Sequence, residues 1–163
     1  MNRHFVFRNY WWIAILLGGI AGAVALYFGG DDRIGLMGAV LAGALGFCYF
    51  SQQQKLAETA LFYQLFTNFN ARYDKINGEL AGLLNKRDLS AEDRNFIVDY
   101  FNLCAEEYLF YQQGYIPSTV WRSWCRGMAW YLNTHPFRDV WNDEFKTESF
   151  YGLSLEIIQA GAT

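Results

Sequence analysis

Histidine is nearly missing from this chain of 163 residues, with only His4 and His135 present. Catalytic metal centres and acid–base sites commonly recruit one, so the scarcity argues against both. The three cysteines, Cys48, Cys104 and Cys125, lack any spacing typical of metal ligation. They read as reduced, buried thiols of a cytoplasmic compartment. No arginine is followed five positions later by a histidine, the spacing of one class of helical ribonuclease. Phosphate-cradling glycine loops and nucleophile elbows are missing too. So are strand-like alternation, repeats and low-complexity tracts. The expectation is an all-α protein that is not an enzyme and needs neither cofactor nor metal.

Charge is missing in a more informative way. Tyr10 to Phe28 is a run of nineteen uncharged residues, and Ile34 to Phe50 a run of seventeen. A nineteen-residue helix is about 28 Å long, close to the roughly 30 Å of a bilayer's hydrocarbon core. The second run reaches that length by continuing through uncharged Ser51 to Gln54. Tyr10, Trp11, Trp12, Tyr27, Phe28, Tyr49 and Phe50 stand at the ends, as interfacial aromatic belts do. The expected architecture is a transmembrane helical hairpin over residues 1–50, with spans at about 10–28 and 34–50, then a helical bundle over 51–163 whose first helix continues the second span.

Arg3, Arg8 and the terminal amine precede the first run, and only Arg33 lies in the turn. The positive-inside rule then places the turn outside and both termini in the cytoplasm of a bacterial inner membrane. Arg3 and Arg8 with Ala23-Val24-Ala25 also fit a signal peptide, although the apolar run exceeds the roughly 7–15 residues of a typical core. Neither run has a polar face or an ionisable side chain, which argues against a buried soluble hairpin and against a proton relay.

Small residues recur every four positions in both runs: Gly18 with Gly22, Gly19 with Ala23, Gly35 with Ala39 and Gly43, and Gly38 with Ala42 and Gly46. Such rows let helix backbones approach closely in lipid, where no hydrophobic drive joins them. They serve either the hairpin's own packing or contact between protomers. Two parallel rows on the second span exceed what one partner helix needs, which favours a homo-oligomer.

From Ser51 onward there are ten Lys and Arg against fourteen Asp and Glu. That acidic balance speaks against direct nucleic-acid binding. No proline occurs between Ser51 and Arg87, so one helix is expected throughout. Phe62, Phe66, Phe69, Tyr73, Ile76, Leu80 and Leu83 recur at alternating four- and three-residue steps and form an aromatic seam. Ser90 marks the start of a helix over 91–113, which Gly114 and Pro117 end. Further helices are expected over 119–133, with Trp121, Trp124, Met128 and Tyr131 on the apolar side, through Phe137, Val140 and Trp141, and over 149–159.

Two polar groups stand out in this part. Asp99, Glu106 and Glu107 share an aromatic segment and could serve acid–base or metal chemistry, but ion pairing with Arg122 and Arg126 is the favoured reading. Asn68, Asn70, Arg72, Asp74 and Asn77 flank the seam and are expected to bind a partner or to be satisfied within the bundle.

The set Phe69-Asn70-Ala71-Arg72-Tyr73-Asp74, Asp99 to Tyr108 (DYFNLCAEEY), Gly114-Tyr115-Ile116 and Trp121, Trp124, Gly127, Met128 resembles a family of bacterial two-transmembrane proteins with a cytoplasmic helical domain. That resemblance spans about residues 54–152 and implies no catalytic residue. In plan alone the chain is similar to small membrane effectors of anti-phage systems, such as retron-associated effectors and the pore-forming accessory protein of an RNA-cutting CRISPR system. The resemblance and the plan together imply an oligomeric, pore-like membrane effector in antiviral defence, acting on the lipid bilayer and controlled by its cytoplasmic domain. The alternative is a membrane-tethered adaptor for a cytoplasmic protein.

Overall fold

The structure is a computed structural model and describes residues 10–147 and 150–163. Arg3, His4 and Arg8, and Ser149 as a helix start, lie outside the described residues. All regular structure within them is helical: α1 (Tyr10–Phe28), α2 (Arg33–Leu83), α3 (Ala91–Gln112), α4 (Ser118–Leu132), α5 (His135–Glu144) and α6 (Leu155–Ala162). Single 3-10 turns lie at Gly30–Asp32 and Phe145–Thr147. The chain divides into two compact units, Met1–Ala60 and Leu61–Thr163, and α2 supplies residues to both.

Among the described residues one helix, Gly30–Leu83, is long and apolar enough to cross a membrane, and its apolar stretch is almost wholly uncovered. The apolar stretch of α1, Trp11–Tyr27, is shorter. One long apolar helix near the amino terminus is thus what the structure offers toward membrane association. Ala14 and Ala25 of α1 are buried. Together with Gly18 and Ala21 they lie at steps of three and four, which brings them onto one helical face.

The second unit is a bundle closed by rings. Ser90 starts α3 as expected: its hydroxyl accepts from the Asp93 amide at 3.2 Å, and the Asp93 carboxylate accepts from the Ser90 amide at 2.7 Å. This reciprocal pair satisfies two amides that the first turn leaves open. Lys86 adds a bond to Asp93 at 2.6 Å, and with Ser90 it holds that carboxyl at about 2. At the other end Gly114 takes a left-handed φ of +81°, and Tyr115 donates to the Phe110 carbonyl.

Phe101 then meets Trp141 edge to face at 4.9 Å, and Phe150 stacks on Trp141 at 5.0 Å. Leu80, Ile97, Phe137, Val140, Leu153 and Ile158 bury themselves around these rings. The apolar side of α4 is as expected for Trp121, Met128 and Tyr131, all buried, while Trp124 is partly exposed.

Two expectations need correction. The last helix begins at Leu155, capped by Ser154, because Tyr151 and Gly152 both adopt positive φ and turn the chain before it. Phe66 also leaves the core side of the seam. It is 37% exposed and stacks on the outer part of the bundle against Trp124 at 6.2 Å.

The seat of α6 depends on one hydrogen atom. A methyl group at Gly161 would stand 2.5 Å from Cys125 Sγ and 3.2 Å from Trp121 Nε1. Gly161→Ala is therefore expected to destabilise the bundle by about 1–3 kcal/mol despite alanine's better helix propensity. A lowered urea midpoint of the helical signal is the check. An unchanged midpoint would mean that α6 can shift without cost.

Candidate functional site

The register of α3 decides which polar side chains face inward. Ile97, Tyr100, Cys104 and Glu107 recur at steps of three, four and three, so one face carries all four. Each is buried, and Glu107 is 6% exposed. Glu106, one residue earlier, lies at the flank. There it accepts two bonds from the Arg72 guanidinium, at 2.5 and 3.0 Å. That bond, ahead of the nearby charges, raises the Arg72 pKa.

Both partners of this pair are more than a third exposed, so it contributes about 1 kcal/mol or less. The expected pairing of the acids with Arg122 and Arg126 does not occur. Those arginines are one residue past the buried positions Trp121 and Cys125, which turns them outward by about 100°. Arg126 donates instead to the Arg122 carbonyl at 3.3 Å.

Asp99 is exposed and lines an open groove of about 480 Å³ with Arg72, Lys75, Asn102, Glu106 and Tyr151. Asp74 is exposed. Asn70 donates to the Phe66 carbonyl of its own helix at 2.8 Å. Asn77 accepts from the Tyr131 hydroxyl at 3.2 Å, and the Tyr73 hydroxyl lies 3.4 Å from the same oxygen of Tyr131. Part of the polar flank is thus satisfied within the bundle.

Behind Asn70 lies a second cavity, of about 200 Å³. Asn70 and Tyr73 of α2 line it, with Tyr100, Cys104 and Glu107 of α3 and Ser123, Trp124, Gly127 and Met128 of α4. Its outer wall, Ser123 and Gly127, is exposed, whereas Tyr100, Cys104, Glu107 and Met128 form a buried inner wall.

No hydrogen bond from a described residue contributes to the state of the Glu107 carboxyl. No described, fully buried side-chain nitrogen or oxygen lacks a partner. The carboxyl oxygens therefore open onto the cavity. Burial, the largest effect, lifts this acid to about 8 against the pull of Arg72, and the Glu106 charge adds to the lift. Burial also raises the Cys104 thiol, and it pushes Cys125 up to about 12. Neither thiol is thereby a ready nucleophile. Among the described residues no group of His, Cys, Asp and Glu has the arrangement of a metal site.

The chain matches no family model, no curated protein and no solved structure.

The small-residue rows separate into two sets. A methyl group added at Gly18 would stand 4.0 Å from the methyl of Ala44, and a cleft of about 260 Å³ beside them is lined by Ala14, Leu17, Gly18, Ala21, Val40, Gly43, Ala44 and Phe47. Gly22 is half-buried on α1. Gly35, Gly38, Ala39, Ala42, Gly43 and Gly46 are all on α2, and methyl groups added at Gly35, Gly38, Gly43 or Gly46 would meet nothing within 4 Å.

Sequence reasoning missed the Arg72 to Glu106 pair and the separate position of Glu107. The signal for the second was available: Glu107 continues the buried spacing of α3, and Glu106 does not. The first joins residues 34 apart and depends on how two helices align.

Proposed function

We propose that the chain is a two-pass inner-membrane protein, with both termini in the cytoplasm, that forms a homo-oligomeric, pore-like effector controlled by its helical bundle. The observation that carries this reading is an uncovered small-residue row on α2. Gly38, Ala42 and Gly46 form it, whereas the cleft beside α1 is lined by Val40, Gly43, Ala44 and Phe47 of α2. Surfaces that allow such close approach gain little from lipid alone and much from a second helix. A role in antiviral defence rests only on likeness of plan.

Ala42→Leu separates protomer contact from hairpin packing, because Ala42 is exposed and lies outside the cleft beside α1. The variant keeps the helix apolar, so it should insert and fold. In detergent it is expected to run as a smaller species than the native protein by light scattering after gel filtration. Native particle size in the variant, or a monomeric native protein, would overturn the oligomer.

A membrane-tethered adaptor is the second reading. Tyr63, Trp130 and Tyr151 expose 71%, 56% and 55% of their surface in the bundle unit, a set of aromatic anchors of the kind that partner proteins bury. A monomeric native chain that retains a cytoplasmic protein through Trp130 would favour it.

A further inference from the structure

The cavity behind Asn70 combines features that ordinary core packing avoids. A carboxyl buried to 6% exposure reaches it without a hydrogen-bond partner among the described residues, beside Tyr73, Tyr100, Trp124, Met128 and Cys104, with Asn70, Ser123 and Gly127 completing the lining. A carboxyl held this deep incurs a desolvation cost in its charged form, which an apolar side chain there would not. Arg72 is the described cation whose charge acts on it, and both of its forked nitrogens are committed to Glu106.

At about 200 Å³ the cavity exceeds the roughly 150 Å³ that accommodates a benzene ring. Gly127 sits at its exposed rim, where an added methyl would meet no atom within 4 Å, so ligand access past α4 is unobstructed at that point. An electron-rich ring wall beside one carboxylate is the composition that holds an organic ammonium ion: the charge pairs with the acid, and ring faces attract the cation.

We propose that this cavity binds a small organic cation, an alkyl- or arylalkylammonium, whose charged end meets the Glu107 carboxylate while its hydrocarbon part lies against Tyr73, Tyr100, Trp124 and Met128. Binding does not depend on whether α1 and α2 assemble into a pore, and its test is separate from that of the oligomer.

The proton balance makes the site recognisable. Glu107 titrates at about 8, so at neutral pH it is largely protonated in the empty protein. An ammonium ion binds the ionised acid, and the Glu107 proton leaves to solvent. The other titratable groups of the lining are Tyr73 from α2 and Tyr100 and Cys104 from α3, while Arg72 from α2, Glu106 from α3 and Cys125 from α4 are coupled to Glu107 by charge. The thiols and Tyr100 are raised and stay protonated across this range, leaving Glu107 as the group that exchanges a proton.

The experiment is calorimetric titration of the full chain in a neutral detergent with benzylammonium, butylammonium and the uncharged benzyl alcohol, between pH 6 and 8. Both ammonium probes are expected to bind, with affinity rising by up to about tenfold per pH unit and with proton release that shows in buffers of different ionisation enthalpy. Benzyl alcohol should bind at least about tenfold more weakly. Glu107→Gln, which keeps the shape, and Gly127→Leu, which fills the rim, should each weaken ammonium binding by about tenfold or more at an unreduced melting midpoint. Equal binding of the alcohol, tighter binding at acid pH, no binding by the native chain, or affinity retained in Glu107→Gln would each overturn the proposal. Should Gly127→Leu fail to fold, Glu107→Gln decides alone.

Discussion

Glu107→Gln is expected to stabilise the protein at pH 8 and to remove most of the pH dependence of its stability between about 5 and 8. Burial raises the folded-state pKa of this acid to about 8, from the 4.5 expected of an unburied glutamate. Between those values the folded chain holds a proton that the unfolded chain has lost. Stability from this group is therefore full below about 4.5 and declines as pH rises through about 8, by up to ~1.4 kcal/mol per pH unit. Tyr100, Cys104 and Cys125 are raised as well and act with the same sign, but only in a more alkaline range. Melting curves of the native chain and the variant at pH 5, 6, 7 and 8 should diverge steadily, with the native midpoint falling. Parallel curves would show that the carboxyl is ionised and solvated in the folded protein.

Phe69→Ala is expected to cost about 3–5 kcal/mol, a large part of the stability of a domain that has roughly 5–15 to lose. Phe69 is 2% exposed and makes ring contacts with Phe110 at 5.8 Å and, edge to face, with Trp124 at 5.9 Å. Truncation removes a whole ring from between α2, α3 and α4 and leaves a void that rigid aromatic neighbours cannot close. The urea midpoint of the helical signal measures the loss. Phe66→Ala, made as the comparison, should cost much less because its ring is already 37% exposed. Equal costs for the two would mean that the seam lies differently from the packing described.

These two residues also show how far sequence alone reaches. The aromatic seam was legible because its period matches a helix, and Phe69, Leu80 and Leu83 are buried as that period requires. The start of α3 was legible at Ser90, whose cap bonds span only three residues. Local rules of this kind need no partner helix. Phe66 belongs to the same period, yet it lies partly outside the core, since the width of a buried stripe depends on what covers it. The same applies to the acids. Adjacent Glu106 and Glu107 look alike in sequence, but a 100° step along α3 sends one to Arg72 and the other into an aromatic cavity. Pairing with Arg122 and Arg126 was a reasonable expectation, because the two arginines stand four apart on one face of the next helix. It failed because the buried face of α4 is set by Trp121, Cys125 and Met128, which carries the arginines past the contact.

The way the ring cluster closes has a consequence for biosynthesis. Phe150, Leu153 and Ile158 complete the packing around Trp141 and Phe101, and they are the last members of that cluster to be made. At roughly 5–20 residues per second, Phe101 waits several seconds on the ribosome for its final neighbours. Throughout that interval the nascent bundle displays phenylalanine and tryptophan side chains that the finished protein hides. Newly made chains must therefore pass through a stage that invites chaperone capture or aggregation, after the apolar helices have already been synthesised.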